Sequence, residues 1–275
     1  MPAVHNRRGR DEAPAWGRRP PGAPLVIAHR GASAAAPENT LAAFRRARDE
    51  GADGVELDVM RCRSGEVIVF HDDDLGRLGG PGYSAADATR ARDLAELGRI
   101  RLGAPAFDER IPTLEAVYAE LGPRMLVNVE LKSAPTFRER AHDDGLATEV
   151  ARIIGQAGAE ARTIVSSFDP LLLLRFRRAA RRAGLRVSDA LLFGADQARP
   201  LREAWAATVL RPRALHPDAA LVDTVALRRW RGGAAERAVN VWTVDDPAEA
   251  RALAALGVDA IITNRPAAIR AALAL

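Results

Sequence analysis

The chain has 275 residues, of which 48% are hydrophobic and 28% are charged, and its formal net charge is +4. This length suffices for one large barrel or two small domains with a sizeable buried core. No apolar run approaches the roughly 18 residues of a membrane span. The single cysteine, Cys62, excludes an internal disulfide framework, and the N-terminus lacks the apolar segment of a signal peptide. We therefore expect a cytoplasmic protein without stable membrane association.

The positive charge is unevenly distributed along the chain. Residues 1–24 are rich in Pro, Gly and Arg and have a net charge of +3, which leaves +1 for the rest. We expect a disordered tail at 1–24 and a single domain at 25–275. Six arginines between 175 and 186 fall on a predicted helix with leucines at its other positions, which favours a solvated helix face over an RNA-binding patch. The distribution therefore argues against a nucleic-acid partner.

Short apolar runs alternate with helical patterns from residue 25 onward. The predicted strands are Leu25–His29, Val55–Val59, Met125–Leu131, Thr163–Ser167, Ala190–Phe193, Ala214–Val222, Val239–Val244 and Ala260–Thr263. The predicted helices are Asn39–Glu50, Leu114–Leu121, Leu146–Ala157, Leu171–Ala183, Leu201–Val209, Thr224–Arg231, Pro247–Leu256 and Pro266–Leu275. Alternating units of this length favour a parallel sheet, and eight such pairs fit one α/β barrel of the (β/α)8 TIM type. A doubly wound open sheet is the alternative, although no glycine-rich dinucleotide motif follows the first strand.

One apolar run does not fit the alternating pattern. Val67–Phe70 follows the second strand after only seven residues, with Ser64 and Gly65 at the centre of the connection. A parallel crossover needs a dozen or more residues, so this run is predicted to fold back as a β-hairpin that brings His71 to the barrel mouth. The following segment, 72–110, is rich in Gly and Asp, and we expect a small insertion there that serves as a functional cap.

Polar side chains cluster where the first, second and third predicted barrel strands end, which is where barrel enzymes place their sites. The period of two puts Glu56 and Asp58 on the same face of the second strand. It likewise puts Asn128, Glu130 and Lys132 on the same face of the third. Three carboxylates directed into one mouth repel each other unless a cation lies among them. Oxygen ligands favour Mg²⁺ or Ca²⁺. The alternative is a salt-bridge cluster in which Arg30 and Lys132 neutralise the carboxylates.

The imidazoles of His29 and His71 are predicted to join this group. Two histidines beside a metal site are suited to general acid and general base catalysis near neutral pH. The other histidines carry less weight: His5 lies in the tail, His142 lies in a polar loop, and His216 stands before a proline at a predicted strand end.

One cation type is almost absent. Of the 40 cationic side chains, 39 are Arg, and Lys132 is the only lysine. An ammonium retained in an arginine-rich chain indicates that this position needs a lysine, and chance retention is the alternative.

Eight motifs together resemble the glycerophosphodiester phosphodiesterase family. They are HRGASAAAPENTLAAF (29–44), DGVELDV (53–59), VIVFHD (67–72), IPTLEA (111–116), NVELK (128–132), SSFD (166–169), VWTV (241–244) and GVDAIITNRP (257–266). They follow one another in the family's order from residue 25 to about 268. Two positions depart from the family pattern, because Gly76 and Asn264 stand where Asp is common. We expect both departures to affect substrate fit without touching the chemistry.

The resemblance implies a distorted (β/α)8 barrel that hydrolyses glycerophosphodiesters to glycerol 3-phosphate and an alcohol, as part of lipid and glycerol metabolism. It implies one divalent cation, Mg²⁺ or Ca²⁺ with Mn²⁺ as a further option. The implied metal ligands are Glu56, Asp58 and Glu130, the implied acid/base pair is His29 and His71, and the implied phosphate contacts are Arg30 and Lys132. Glu38 is interpreted as a residue that supports the site from behind, and Trp242 as an apolar wall for the glycerol or the alcohol.

Three other functions compete with this one. A related barrel phosphodiesterase would act on lysophospholipid or sphingolipid head groups. A class I aldolase would use Lys132 to form a Schiff base. A non-enzymatic RNA-binding protein would use the arginine-rich segments. The sequence leaves open the alcohol, the metal, the nucleophile, the roles of the two histidines and the oligomeric state.

Overall fold

The computed structural model describes residues 16–19, 24–134, 136, 144–232 and 237–273. Its strands are β1 Leu25–His29, β2 Gly54–Arg61, β3 Val67–Val69, β4 Leu126–Leu131, β5 Thr163–Ser167, β6 Ser188–Phe193, β7 Ala214–Pro217, β8 Ala238–Val241 and β9 Ala260–Thr263. All except β3 pair in parallel, in the order β1-β9-β8-β7-β6-β5-β4-β2, and β1 also pairs with β2. This closure confirms the predicted TIM-type barrel and excludes the open sheet.

The α-helices of the described residues surround the barrel or lie in its connections. They are α1 Leu41–Asp49, α2 Leu94–Leu97, α3 Leu114–Leu121, α4 Leu146–Gln156, α5 Pro170–Arg182, α6 Arg199–Arg202, α7 Ala206–Leu210, α8 Thr224–Arg231, α9 Pro247–Leu256 and α10 Pro266–Leu273. Several begin at a polar cap that accepts backbone N–H groups, such as Thr40 before α1, Asp169 before α5 and Asp246 before α9. None of the described helices is long and apolar enough to cross a membrane.

The alternation along each strand separates the core from the site. On β2, Val55, Leu57 and Val59 pack outward in the main apolar cluster with the helices, where full burial of each side chain contributes roughly 1.5–3 kcal/mol. Glu56 and Asp58 point the other way, into the barrel. The barrel interior is therefore apolar near the amino ends of the strands and polar near their carboxyl ends.

The predicted bounds shift by a few residues in several elements, such as the strand Val239–Val244, which is Ala238–Val241 in the structure, and two predicted elements differ most. The predicted strand Ala214–Val222 ends at Pro217, because the next residue, Asp218, caps a 3₁₀ helix at Ala219–Leu221. The predicted helix Leu201–Val209 is split into α6 and α7 around Ala204, which has a φ of 53°. A left-handed residue cannot continue a right-handed helix.

The hairpin and the insertion after β2 are confirmed. β3 pairs antiparallel with β2, with Val59 opposite Val69, and Gly65 supplies the positive φ of 107° that the turn requires. The insertion has its own apolar cluster, made by Met60, Ile68, Phe70, Leu75, Leu97, Ile100, Leu102 and Ile111 among others. This cluster fixes the end of β3, and His71 follows directly at the barrel mouth.

Part of the N-terminal segment contacts the barrel. The indole of Trp16 packs against residues inside the barrel and donates to the carbonyl of Arg162 at 2.9 Å. The backbone N–H of Arg19 donates to Asp259 at 2.7 Å. Arg162 and Asp259 precede β5 and β9, so this contact covers the end of the barrel opposite the mouth. Most of the predicted tail, including His5, lies outside the described residues, as does His142.

Candidate active site

The site-forming side chains meet at the carboxyl ends of β1, β2 and β4. A cavity of about 200 Å³ opens there, and its walls are His29, Arg30, Glu56, His71, Asn128, Glu130, Lys132, Phe168, Leu192, Trp242 and Ile262. Seven of the nine site residues predicted from the sequence line this cavity. The remaining two, Asp58 and Glu38, lie behind Arg30 and contact its guanidinium at 3.3 and 2.8 Å.

Three carboxylates form a compact acidic cluster. Glu56, Asp58 and Glu130 each offer an oxygen within 4.8 Å of the other two. The strand register produces this cluster, because Asp58 of β2 pairs with Glu130 of β4. The side chains are nearly buried, with exposed fractions of 4% for Glu56, 1% for Asp58 and 12% for Glu130.

Electrostatics within the cluster favour a bound cation. Burial, with the charges of Asp58 and Glu130, raises the pKa of Glu56 well above its usual value. Burial likewise raises the pKa of Glu130 to about 7, against the opposing charge of Lys132. Burial alone would raise the pKa of Asp58, but Lys132 and Arg30 outweigh it and lower that pKa to about 2. Oε1 of Glu56 is buried without a hydrogen-bond partner. A repelling cluster with a free ligand atom fits a hard divalent cation.

Two cations flank the carboxylates. Nζ of Lys132 lies 3.4 Å from Glu130 and 3.7 Å from Asp58. The backbone N–H of Arg30 donates to Glu56 at 3.0 Å, while its side chain reaches Asp58. The predicted salt-bridge alternative is therefore partly realised. Two cations do not neutralise three carboxylates. The raised pKa values of Glu56 and Glu130 are consistent with this excess of negative charge.

His29 is held through a side chain far away in sequence. The amide of Asn264 donates from Nδ2 to Asp245 at 2.6 Å, which turns its Oδ1 towards Nδ1 of His29 at 2.8 Å. Oδ1 can only accept, so the proton of a neutral His29 resides on Nδ1 and leaves the lone pair on Nε2. Burial, with a smaller contribution from Arg30, lowers the pKa of His29. Asn264 therefore contacts a predicted catalytic residue, in contrast to the expectation that it lies apart from the chemistry.

His71 is held by a carboxylate. Its Nδ1 lies 2.6 Å from Oδ1 of Asp72, and Arg77 donates from Nε and Nη2 to the two oxygens of Asp72. Arg77 also donates to both oxygens of Glu38, at 2.8 and 2.7 Å. Glu38 accepts from Arg30 as well, so a continuous chain of charged contacts joins His71 to the arginine at the centre of the mouth.

Sequence reasoning did not single out several residues that orient the site. Asn39, within the quoted PENT motif, donates to Asp58 at 2.9 Å, and Asp72 stands in the quoted HD pair. The sequence could have indicated both residues, because Asn39 directly follows Glu38 and Asp72 directly follows His71. Arg77 had no such signal, and Asn264 stood out only as a departure from the family pattern, since the partners of both residues are fixed by the fold.

Two aromatic side chains form the apolar wall. Trp242 meets Phe168 edge to face with ring centroids 5.6 Å apart, and its indole N–H donates to the carbonyl of His216 at 2.8 Å. The imidazole of His216 is buried against Asn240, and burial lowers its pKa to about 3. His216 is thus a neutral core residue that supports the wall from below.

A closed parallel barrel with two histidines at its mouth, beside an acidic cluster that could hold a metal ion, is typical of TIM-barrel enzymes. Residues 29–268 match the model of the glycerophosphoryl diester phosphodiesterase family. The chain belongs to this family of phosphoric diester hydrolases.

Known phosphodiesterases resemble this chain in sequence and in structure. A glycerophosphodiester phosphodiesterase of Caldanaerobacter subterraneus subsp. tengcongensis is 33% identical over 247 residues, which are 88% of this chain and 94% of the relative. A phosphodiesterase of Oleispira antarctica, solved in complex with its product sn-glycerol-3-phosphate, has a TM-score of 0.72 and 27% identity, with 91% of this chain and 96% of that one covered. A Thermotoga maritima glycerophosphodiester phosphodiesterase has a TM-score of 0.68 and 29% identity, with 89% and 96% covered.

Proposed function

We propose that this protein hydrolyses glycerophosphodiesters to glycerol 3-phosphate and an alcohol, with one divalent cation at Glu56, Asp58 and Glu130. The observation that carries the proposal is the meeting of this acidic cluster with His29 and His71 around one small cavity. Family membership and the product complex of the Oleispira antarctica relative support the same reaction. Mg²⁺ and Ca²⁺ are the preferred ions for three carboxylate ligands, and Mn²⁺ can replace them.

When bound, the cation supplies positive charge that polarises the phosphate and stabilises the charge of five-coordinate phosphorus. Arg30 and Lys132 hold the non-bridging oxygens from the other side, as preorganised donors. Glu38 keeps Arg30 in place through its hydrogen bond at 2.8 Å. Trp242 and Phe168 provide the apolar surface against which the carbon chain of the substrate rests.

The two histidines have different hydrogen-bond partners, and these support different roles. His29 is paired with a neutral amide and has a lowered pKa, so its Nε2 lone pair is available as the general base. His71 faces the carboxylate of Asp72, a neighbour that pairs with an imidazolium, so His71 acts as the general acid. The attacking hydroxyl gives its proton to His29 as the new P–O bond forms. The P–O bond to the alcohol then breaks, and the departing oxygen takes a proton from His71. Attack by water yields glycerol 3-phosphate directly, whereas attack by the substrate's glycerol hydroxyl yields a cyclic phosphate that a water molecule then opens to glycerol 3-phosphate.

Two rival functions fit the structure less well. The charges of Glu130 and Asp58 outweigh burial and raise the pKa of Lys132, whereas a Schiff-base lysine needs a lowered pKa. The aldolase alternative is therefore disfavoured. A larger cavity of about 490 Å³ shares Lys132 with the catalytic cavity, and its walls include Arg61, Arg63 and Arg90. A long acyl chain would have to leave the catalytic cavity of about 200 Å³ and pass these arginines, which favours small diesters over lysophospholipids.

The proposal is tested with a panel of glycerophosphodiesters that differ in the alcohol, assayed for release of glycerol 3-phosphate. We expect turnover that a chelator abolishes and that Mg²⁺, Ca²⁺ or Mn²⁺ restores. Borohydride trapping with carbonyl substrates and RNA binding over a range of salt concentrations serve as the tests of the rival functions. Full activity in chelator would exclude the metal, and no release of glycerol 3-phosphate from any diester would contradict the proposed reaction.

A further inference from the structure

Asn128 occupies an unusual position in the catalytic cavity. It lies on β4 in register with Glu56, one step deeper in the barrel than Glu130, and it is 1% exposed. The residue lines the cavity, yet neither its Oδ1 nor its Nδ2 has a hydrogen-bond partner. Buried amide groups in native proteins are nearly always paired, so an unpaired amide at a cavity wall calls for a ligand.

The other buried asparagines of the described residues show what is normal for this barrel. Asn39 donates to Asp58 and accepts from the backbone of the same residue. Asn240 is paired with His216 at 2.9 Å. Asn128 differs from both in having its donor and its acceptor unpaired, and it also differs from both in lining the cavity.

The surroundings of Asn128 specify the chemistry of its ligand. The apolar walls of the cavity come from Phe168, Leu192, Trp242 and Ile262, while the cations Arg30 and Lys132 hold the phosphate end. A small polyol fits this combination, because its carbon atoms rest on the apolar walls and a hydroxyl group reaches the amide. A hydroxyl both donates and accepts, so it can pair with either atom of Asn128.

We propose that Asn128 is a specificity-determining residue that hydrogen-bonds a hydroxyl of the substrate's glycerol portion. The inference rests on the proposed phosphodiesterase function and adds a recognition role that is separate from the acid/base and metal-binding residues. A site built to hydrogen-bond a hydroxyl rejects analogues that lack it, because the buried polar group is then left unpaired. Asn128 therefore selects glycerol diesters over diesters of simple alkanols.

The experiment compares kcat/KM for glycerophosphocholine and for two analogues in which propane-1,2-diol or propane-1,3-diol replaces glycerol. The wild type is expected to lose about 10- to 100-fold on the analogue that lacks the recognised hydroxyl. Leucine has nearly the same shape as asparagine, and in Asn128→Leu we expect kcat/KM for glycerophosphocholine to fall by a similar factor. In this variant, kcat/KM for the analogue that lacks the hydroxyl should differ from that for glycerophosphocholine by less than about threefold. Asn128→Ala repeats the test if the leucine disturbs folding.

Product binding gives a readout that does not depend on turnover. Calorimetric titration with glycerol 3-phosphate and with 3-hydroxypropyl and 2-hydroxypropyl phosphate should show the same loss of discrimination in the Asn128 variants. Asn240→Ala is the matched control, because it removes a buried barrel amide that already has a protein partner. This control is expected to preserve the wild-type ratio between substrates.

The outcomes separate the two proposals. A wild type that releases no glycerol 3-phosphate from any diester contradicts the proposed function itself. An active wild type whose discrimination, in both turnover and product binding, persists unchanged in Asn128→Leu and Asn128→Ala overturns only the role of Asn128. Loss of discrimination against either analogue in the Asn128 variants supports that role. The analogue concerned identifies the hydroxyl that Asn128 binds.

Discussion

Asn264 and His29 are 235 positions apart in sequence, yet Oδ1 of the amide lies 2.8 Å from Nδ1 of the imidazole. The amide cannot turn over, because its Nδ2 donates to Asp245 at 2.6 Å and a turned amide would set its oxygen against that carboxylate. The amide fixes the tautomer of His29, and its hydrogen bond by itself raises the pKa of the imidazole. Burial and the charge of Arg30 outweigh this contact and lower the pKa of His29, which favours the neutral form that a general base requires.

Exchange of the amide and the carboxylate should move the pH profile. In the double variant Asn264→Asp/Asp245→Asn, the carboxylate faces His29 while the pair keeps its hydrogen bond. The carboxylate stabilises the imidazolium and raises the pKa of His29, so the base is lost at a higher pH as the solution is acidified. We expect the acid limb of kcat/KM to shift upward by about one pH unit, measured by steady-state kinetics between pH 5 and 9. Asp245→Asn alone is the control, and an unmoved acid limb in the double variant would remove His29 as the base.

The assignment of His71 as the acid is tested with the leaving group. His71→Ala should lower turnover of glycerophosphocholine by about 10²–10⁴-fold, the usual contribution of a positioned acid. The p-nitrophenyl ester of glycerol 3-phosphate needs no protonation of its leaving group, so the same variant should stay within about tenfold of wild type on it. His29→Ala should lose a similar factor on both substrates. The reverse pattern would exchange the two roles.

The acidic cluster should make metal-free stability depend on pH. The pKa of Glu130 is about 7 in the folded protein against an ordinary value of 4.5. Between these values the folded state binds more protons than the unfolded state, so stability falls as pH rises through this window. In chelator, we expect Tm to fall from pH 5 to 7.5 more steeply in wild type than in Glu130→Gln. Thermal unfolding followed by circular dichroism measures the slope of Tm against pH, and Glu115→Gln, at an exposed position, is the control. Equal slopes for wild type and Glu130→Gln would contradict the electrostatic account.

The features that the sequence predicted depend on patterns within single strands and short connections. The alternation in β2 and β4 placed Glu56, Asp58 and Glu130 on the inner faces of their strands, because the period of two is a property of each strand by itself. The short connection before β3 likewise required the hairpin. Asn264 and Arg77 could not be recognised in this way, since their roles depend on closure of the barrel and on the fold of the insertion.

The contact of Trp16 with the barrel was also beyond sequence reasoning, and it leads to a prediction about stability. Trp16 covers the amino ends of the strands, far from the catalytic cavity, so Trp16→Ala should leave kcat/KM within about twofold. Loss of its packing should lower Tm by about 2–8 °C. Differential scanning calorimetry measures the change in Tm. The matched control is Trp205→Ala, because Trp205 is 53% exposed. An unchanged Tm, or a loss of activity in the folded Trp16 variant, would contradict this structural role.

The lone lysine gives the last prediction. Nζ of Lys132 lies between Glu130 and Asp58, at 3.4 and 3.7 Å, and remains near enough to the cavity to contact a phosphate oxygen. A guanidinium is a broad planar fork that would hold Glu130 with two hydrogen bonds and draw this carboxylate away from a bound cation. We therefore expect Lys132→Arg to fold normally, as checked by circular dichroism. Its kcat/KM should fall by roughly 10- to 10³-fold, a loss of about 1.4–4 kcal/mol of transition-state stabilisation. Steady-state kinetics within about threefold of wild type would show that an ammonium is not required at this position and that the single lysine of the chain was retained by chance.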